Sequence, residues 1–271
     1  MKQTQNIVLK EVESYNAGAK EREEQILEQI GQLNNNQASI SEYIEKEIEE
    51  YVPLREMAVS EDAIPHINIL LLGQVEAGKS SFFNTLNSIF HDRLSIQARA
   101  GRSDRSLTQS FVEKLDIEKE SPFYRRDPKI NDRIHCVAIV VDATKDPDHP
   151  IAEHVQEQIR KTQELMNLKG VPQLILMNKI DGLSESIKGG FSSIFHSQEV
   201  KRRVEKLANY FRLPHNTVLP MKNFDIKHHI SINFQILALY NLRQMLRAAD
   251  DYLLNNLEEI DEFGPSNEKI K

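Results

Sequence analysis

One cysteine, Cys136, stands in 271 residues, so the chain cannot close an internal disulfide and reads as a protein of a reducing compartment, the cytosol. Long apolar runs are missing too. The longest, at 69–72 and 137–141, have the length of buried strands and fall far short of the roughly 20 residues that cross a bilayer. The opening stretch MKQTQNIVLKEVES has no apolar core of the kind a secretory signal carries. Excess positive charge is absent: the net charge is −7, which argues against broad attraction to nucleic acid. The local basic clusters, Arg125 with Arg126 and 201–203, read as solvated faces. Glycine is scarce in one place that matters, because between Gly78 and Gly170 the only one is Gly101.

What is present is enough for one sizeable core, with 39% hydrophobic residues. Residues 1–60 are rich in Glu, Lys, Gln and Asn, and Ile26, Ile30, Leu33, Ile40 and Ile44 fall near helical spacing. This predicts an N-terminal helical extension, a hairpin or short coiled coil, with a break near 34–38 at the run Asn34-Asn35-Asn36. Ser39 with Glu42 reads as a fresh capping box, and the second helix should stop before Pro53. Beyond about residue 64, short apolar runs alternate with longer amphipathic ones. That rhythm predicts an α/β domain over 64–260, a mostly parallel sheet with flanking helices. Strands are expected at 67–72, 136–141, 173–177 and 217–219, and helices at 79–90, 151–168, 199–211 and 231–257. The last 11 residues, 261–271, read as a disordered tail.

Gly73-Gln74-Val75-Glu76-Ala77-Gly78-Lys79-Ser80 has the phosphate-loop spacing, two glycines separated by four residues and followed by Lys and Ser. A strand should feed this loop and an amphipathic helix leave it, so backbone N–H groups and the positive helix end face an anion. In that context Lys79 reaches the β and γ phosphates, Ser80 holds Mg²⁺ through its hydroxyl, and Ser81 continues the first helical turn. Asn178-Lys179-Ile180-Asp181 follows the apolar run LILM at the end of a later strand. A carboxylate at Asp181 can accept both N1–H and the exocyclic amine of guanine, a donor pair that adenine lacks. Lys179 can lay its stem along the base, and Asn178 can tie the base loop to the phosphate loop. After the last strand, VLPMKN offers the backbone N–H of Met221 or Lys222 to guanine O6, against the plainer reading of an ordinary strand-to-helix turn after Pro220.

One part of a nucleotide switch is not found. The turn Asp-x-x-Gly, which would bring a water-mediated Mg²⁺ ligand and a γ-phosphate N–H, occurs only as Asp261 with Gly264 in the tail. The interval from Phe90 to Asn131 offers one strand, near 110–117, where a complete switch domain supplies two. Thr108 is a candidate first-switch threonine for Mg²⁺, against the plainer reading of a surface Ser/Thr loop. Asp142 imitates the acidic Mg²⁺ residue of many ATPases, although its strand should lie one removed from the metal. His149, His154, His228 and His229 lack the partners of a metal site.

The stretches INILLLGQVEAGKSSFFNTLNSIF, NDRIHCVAIVVDA, VLPMKNF and ILALYNLRQMLRAADDYL together resemble the interferon-induced protein 44 family, over roughly 40–257. That resemblance implies a cytoplasmic protein with a GTP-binding-like domain, tied to interferon and antiviral responses. Two departures stand out: the segment carrying the Asp-x-x-Gly-like turn in the family has no counterpart here, whereas Asn178, Lys179 and Asp181 form an intact base motif. A missing strand beside 67–72 would bare a sheet edge, for which the N-terminal helices or a second copy of the chain are the candidate cover.

These residues lead to a guanine-nucleotide-binding protein, taking GTP or GDP with Mg²⁺, at most a slow GTPase because no residue can be assigned to the attacking water. The alternative is an interaction scaffold with a vestigial pocket and an unidentified protein partner. A more distant one is an ATPase using Asp142.

Overall fold

The structure, a computed structural model, describes residues 37–55, 64–91, 128–183, 194, 196–223 and 232–260. Its elements are α1 (Gln37–Glu49), β1 (Ile69–Leu72), α2 (Lys79–Phe90), β2 (Cys136–Asp142), α3 (Glu153–Leu168), β3 (Gln173–Asn178), α4 (Gln198–Phe211), β4 (Val218–Pro220) and α5 (Ile232–Asn255). The expected helices before residue 37, the strand near 110–117, Thr108, the pair His228 and His229 and the tail from 261 all lie outside the described residues.

The four strands form one parallel sheet in the order β1-β2-β3-β4. Two features of the sequence explain it. Every residue of β2 (CVAIVVD) and β3 (QLILMN) is buried, the near-continuous apolar run of a strand covered on both faces rather than the alternation of a strand with one wet face. Each strand is then followed by a segment whose apolar residues recur at helical spacing, so α3 and α4 cross back over one face while α2 and α5 pack together on the other. In α5 the stripe Ile236, Leu239, Leu246, Ala249 and Leu253 is buried against the sheet as its spacing predicts. Among the described strands β1 is an edge, and Ile69, Leu70 and Leu71 are only half-buried.

The helix α1 packs on the α/β domain. It lies along α5, and Ile44 and Leu54 enter the same core at 1% exposure, burial of the kind that contributes roughly 1.5–3 kcal/mol per side chain. The contact is also polar: Arg243 donates to Glu47 at 3.1 Å, and the Tyr51 hydroxyl donates to Asp250 Oδ1 at 2.7 Å. Ser39 and Glu42 sit inside α1 rather than opening it, so the expected capping box is not the start of this helix. The helix stops at Glu49, four residues short of Pro53, which cannot supply a helical N–H.

The distinctive stretch NDRIHC acts as a staple at the base of the sheet. His135, fully buried, accepts the Asn68 N–H on Nδ1 at 3.1 Å and donates from Nε2 to the Ile130 carbonyl at 2.8 Å. Asn68 in turn donates from its side chain to the carbonyls of Asn131 and Arg133, both at 2.9 Å. These bonds join the starts of β1 and β2, at the end of the sheet away from the phosphate loop. Burial lowers the pKa of His135, which keeps the ring neutral and both bonds intact.

Candidate functional site

Gly73 ends β1 and Gly78 caps α2, and both have positive φ, 142° and 105°. Space as well as torsion demands glycine here. A Cβ on Gly73 would stand 2.2 Å from the Val140 carbonyl oxygen of β2, and one on Gly78 would stand 1.9 Å from the Asn178 amide nitrogen. Glu76 also takes a left-handed conformation, φ 67°, which is strained for a residue with a side chain.

The loop these residues shape fits an anion. Phe82 N–H is bonded to the Gly78 carbonyl at 2.8 Å, and no side chain caps the helix before it. No acidic residue occupies the first turn. The amides of Lys79, Ser80 and Ser81 therefore leave the helix end without an intrahelical acceptor, with the positive end of the macrodipole behind them. Lys79 folds back over the loop, its ammonium donating to the carbonyls of Gly73 at 2.7 Å and Gln74 at 2.9 Å. Burial lowers its pKa. Val75 and Glu76 are exposed and Ala77 is buried, so the loop presents backbone rather than side chains to the space it encloses. The Ser80 hydroxyl has no hydrogen-bond partner among the described residues, leaving it available to a Mg²⁺ ion. The Gln74 side chain points the other way and accepts the Ala152 N–H at the start of α3, at 2.9 Å.

The base loops come to the same end of the sheet because β3 and β4 run parallel to β1. Asn178 donates to the Ala77 carbonyl at 2.7 Å, the tie between base loop and phosphate loop that its position in the sequence suggests. Lys179, in a left-handed conformation with φ 60°, donates to Asp142 Oδ2 at 2.6 Å. Thr144 holds the other oxygen of Asp142 through both its N–H (3.0 Å) and its hydroxyl (2.6 Å). Burial pushes the Asp142 pKa up, but the bonds from Lys179 and Thr144 prevail and leave it below the ordinary value. Both carboxylate oxygens are thus engaged by Lys179 and Thr144.

Asp181 lies 3.6 Å from the Lys222 ammonium, which also sits 4.4 Å from the centre of the Phe234 ring. Lys222 thereby brings its side chain beside Asp181. Of the two amides expected to meet guanine O6, that of Met221 is already spent: it donates to the Met177 carbonyl at 2.7 Å, and the Met221 side chain is fully buried. The amide of Lys222 has no acceptor among the described residues, so the expectation narrows to Lys222. Asn223 was not among the residues singled out from the sequence, yet its side chain donates to the Gly78 carbonyl at 3.0 Å. Its only sequence signal was its place directly after the strand-end run VLPMK.

No protein-family model matches the chain. Several curated proteins do, among them three from human and mouse. The human interferon-induced protein 44-like is 27% identical over 243 residues, 71% of this chain and 53% of the relative. Human interferon-induced protein 44 is 24% identical over 294 residues, 84% of this chain and 66% of the relative. The chain is homologous to the interferon-induced protein 44 and 44-like proteins. The mouse interferon-induced protein 44 adds 24% identity over 249 residues, covering 74% and 58%. The chain spans about half to two thirds of the length of these relatives. The alignment with the human protein 44 is longer than this whole chain of 271 residues, so that relative carries stretches with no counterpart here.

Among the described residues no helix is long and apolar enough to cross a membrane, and no group of His, Cys, Asp and Glu converges as metal ligands. Cys136 is buried in β2, and burial pushes its thiol up to about 12, so it is not a nucleophile at neutral pH.

Proposed function

We propose that this chain is a guanine-nucleotide-binding protein of the interferon response, working in the cytoplasm, in which GDP or GTP with Mg²⁺ occupies the loop between β1 and α2. The observation that carries the reading is the Asn178 bond to the Ala77 carbonyl. It ties two motifs 101 residues apart to each other; in this reading the amides of the first meet the phosphates and the Asp181 carboxylate of the second meets the base. Ser80 supplies the Mg²⁺ ligand, Lys79 releases its two carbonyls to meet the β and γ phosphates, and the Lys222 amide meets the base. Hydrolysis is slow at most, because none of the described residues can be assigned to orienting a water. The interferon association is carried over from the names of the relatives, which this chain covers in part.

The test is a titration of the purified chain with fluorescent GDP, GTP and ATP analogues, with and without Mg²⁺. Guanine-selective binding with little preference between GDP and GTP supports a binder without a complete switch. Absence of binding up to millimolar nucleotide overturns the reading and leaves an interaction scaffold built on the same fold.

A further inference from the structure

The two loops that should read the base each send one carboxamide to the phosphate loop. Asn178, after β3, donates to the carbonyl of Ala77 at 2.7 Å; Asn223, after β4, donates to the next carbonyl, that of Gly78, at 3.0 Å. Both amide nitrogens flank the Cα of Gly78, since a Cβ placed there would lie 1.9 Å from the first and 2.8 Å from the second. Both Oδ1 atoms are buried without a hydrogen-bond partner, although a buried acceptor ordinarily finds one. Leaving two of them unpaired is costly, and the gain that accompanies them is the pair of bonds to consecutive carbonyls.

The geometry points to Asn223 as a positioning residue for the phosphate loop, the partner of Asn178 in a two-carboxamide clamp around Gly78. The peptide units of Ala77 and Gly78 end in the amides of Gly78 and Lys79. Fixing their two carbonyls therefore fixes the direction in which those amides point. Gly78 has no Cβ and a positive φ, so its backbone is the freest link in the loop, and it is here that both clamps close. Asn178 alone would hold one of the two peptide planes. Asn223 holds the second, and because the Gly78 carbonyl also accepts Phe82 N–H it locks the loop to the first turn of α2. The functional consequence, tighter phosphate binding, rests on the nucleotide-binding reading above; the structural consequence does not.

The experiment is amide hydrogen exchange on the nucleotide-free full chain, comparing the wild type with Asn223→Asp, which keeps the volume but cannot donate, and Asn223→Ser, a smaller change should the charged variant fold poorly. The clamp requires exchange at the bonded amides of Ala77 and Phe82, which donate to the Gln74 and Gly78 carbonyls, to rise about tenfold in the variants while amides within β3 and β4 keep their wild-type protection. Unchanged exchange at those two amides overturns it, and so does a rise shared equally with β3 and β4, which marks a general loss of stability. Fluorescent GDP titrated into the same proteins separates the two readings. If the wild type binds, the variants bind about tenfold more weakly. If the wild type does not bind, the nucleotide reading falls while the exchange result still decides the clamp.

Discussion

The ammonium of Lys179 lies 2.6 Å from Asp142 Oδ2, joining the end of β3 to the end of β2 inside the site. In the proposed function Lys179 lies along a flat base; its stem has four rotatable bonds, and this pair removes much of that freedom before a ligand arrives. Asp142→Asn keeps the Thr144 bonds in reach but weakens the hold on Lys179. GDP affinity is expected to fall about tenfold with the ATP-analogue signal unchanged, as read by fluorescence titration. A variant with wild-type affinity would show that Lys179 needs no orienting partner.

In the proposed function Asp181 carries the choice of base. Asp181→Asn replaces two acceptors by one acceptor and one donor, so the N1–H and exocyclic amine of guanine can no longer both be met. Loss of a hydrogen-bonding group matched to the ligand costs orders of magnitude in discrimination, and guanine-nucleotide binding is expected to drop by about a hundredfold. Competition between GDP and xanthosine diphosphate measures it: xanthine, which has a carbonyl where guanine has the amine, should gain. Unaltered GDP preference would move base selection away from this carboxylate.

The two glycines of the phosphate loop should fail differently. An alanine at Gly73 meets the backbone oxygen of Val140 at 2.2 Å, in the interior of the sheet, where neither group can move without unpairing β1 from β2. Thermal unfolding of Gly73→Ala is expected to show a loss of about 2–4 kcal/mol. At Gly78 the obstacle is a pair of side chains, so Gly78→Ala pushes Asn178 and Asn223 off their carbonyls and weakens nucleotide binding with a smaller loss of stability. Equal losses in both variants would contradict this division.

Asp250 makes stability depend on pH. Burial raises its pKa from 3.8 to about 6, although the bonds from the Tyr51 hydroxyl (2.7 Å) and the Leu54 N–H (3.4 Å) pull it down. The folded state therefore holds a proton that the unfolded chain has released between those two values. The contribution is fully present below about pH 4 and is lost as pH rises through about 6. Asp250→Asn retains an acceptor for Tyr51 and Leu54 and removes the buried charge. It is expected to stabilise the protein by about 1–3 kcal/mol at pH 7.5 and by progressively less toward pH 4, measured by urea unfolding across that range. Equal stabilisation at pH 4.5 and 7.5 would assign the effect to something other than titration.

The glycine loop between β1 and α2, the turn after β3 and the frame around them are legible in the sequence because their signals are local. Two glycines at fixed spacing, an apolar run before them and a helical stripe after them act through backbone torsion, hydrogen bonding and burial within some twenty residues. The helix 79–90 falls on its expected bounds, and strand and helix ends elsewhere differ by a few residues, where competing terminal hydrogen bonds decide. At α1 the structure differs from the expected capping box, because a capping box is defined by the chain's entry into a helix and Ser39 and Glu42 already lie within this one.

What the sequence determined by itself was the chemistry on offer: an uncapped, glycine-shaped helix start with Lys79 and Ser80, a carboxylate at Asp181, and apolar runs that can only be satisfied in a parallel sheet covered on both faces. The tertiary structure decided which groups are still free to use that chemistry. It spent the Met221 amide on Met177, closed both oxygens of Asp142 on Lys179 and Thr144, and brought Asn223 to Gly78. It also buried Asp250 beneath Tyr51, 199 residues away. Each of these depends on partners from separate strands and helices, and a hydrogen bond requires placement to within a few tenths of an ångström, which no spacing along the chain encodes.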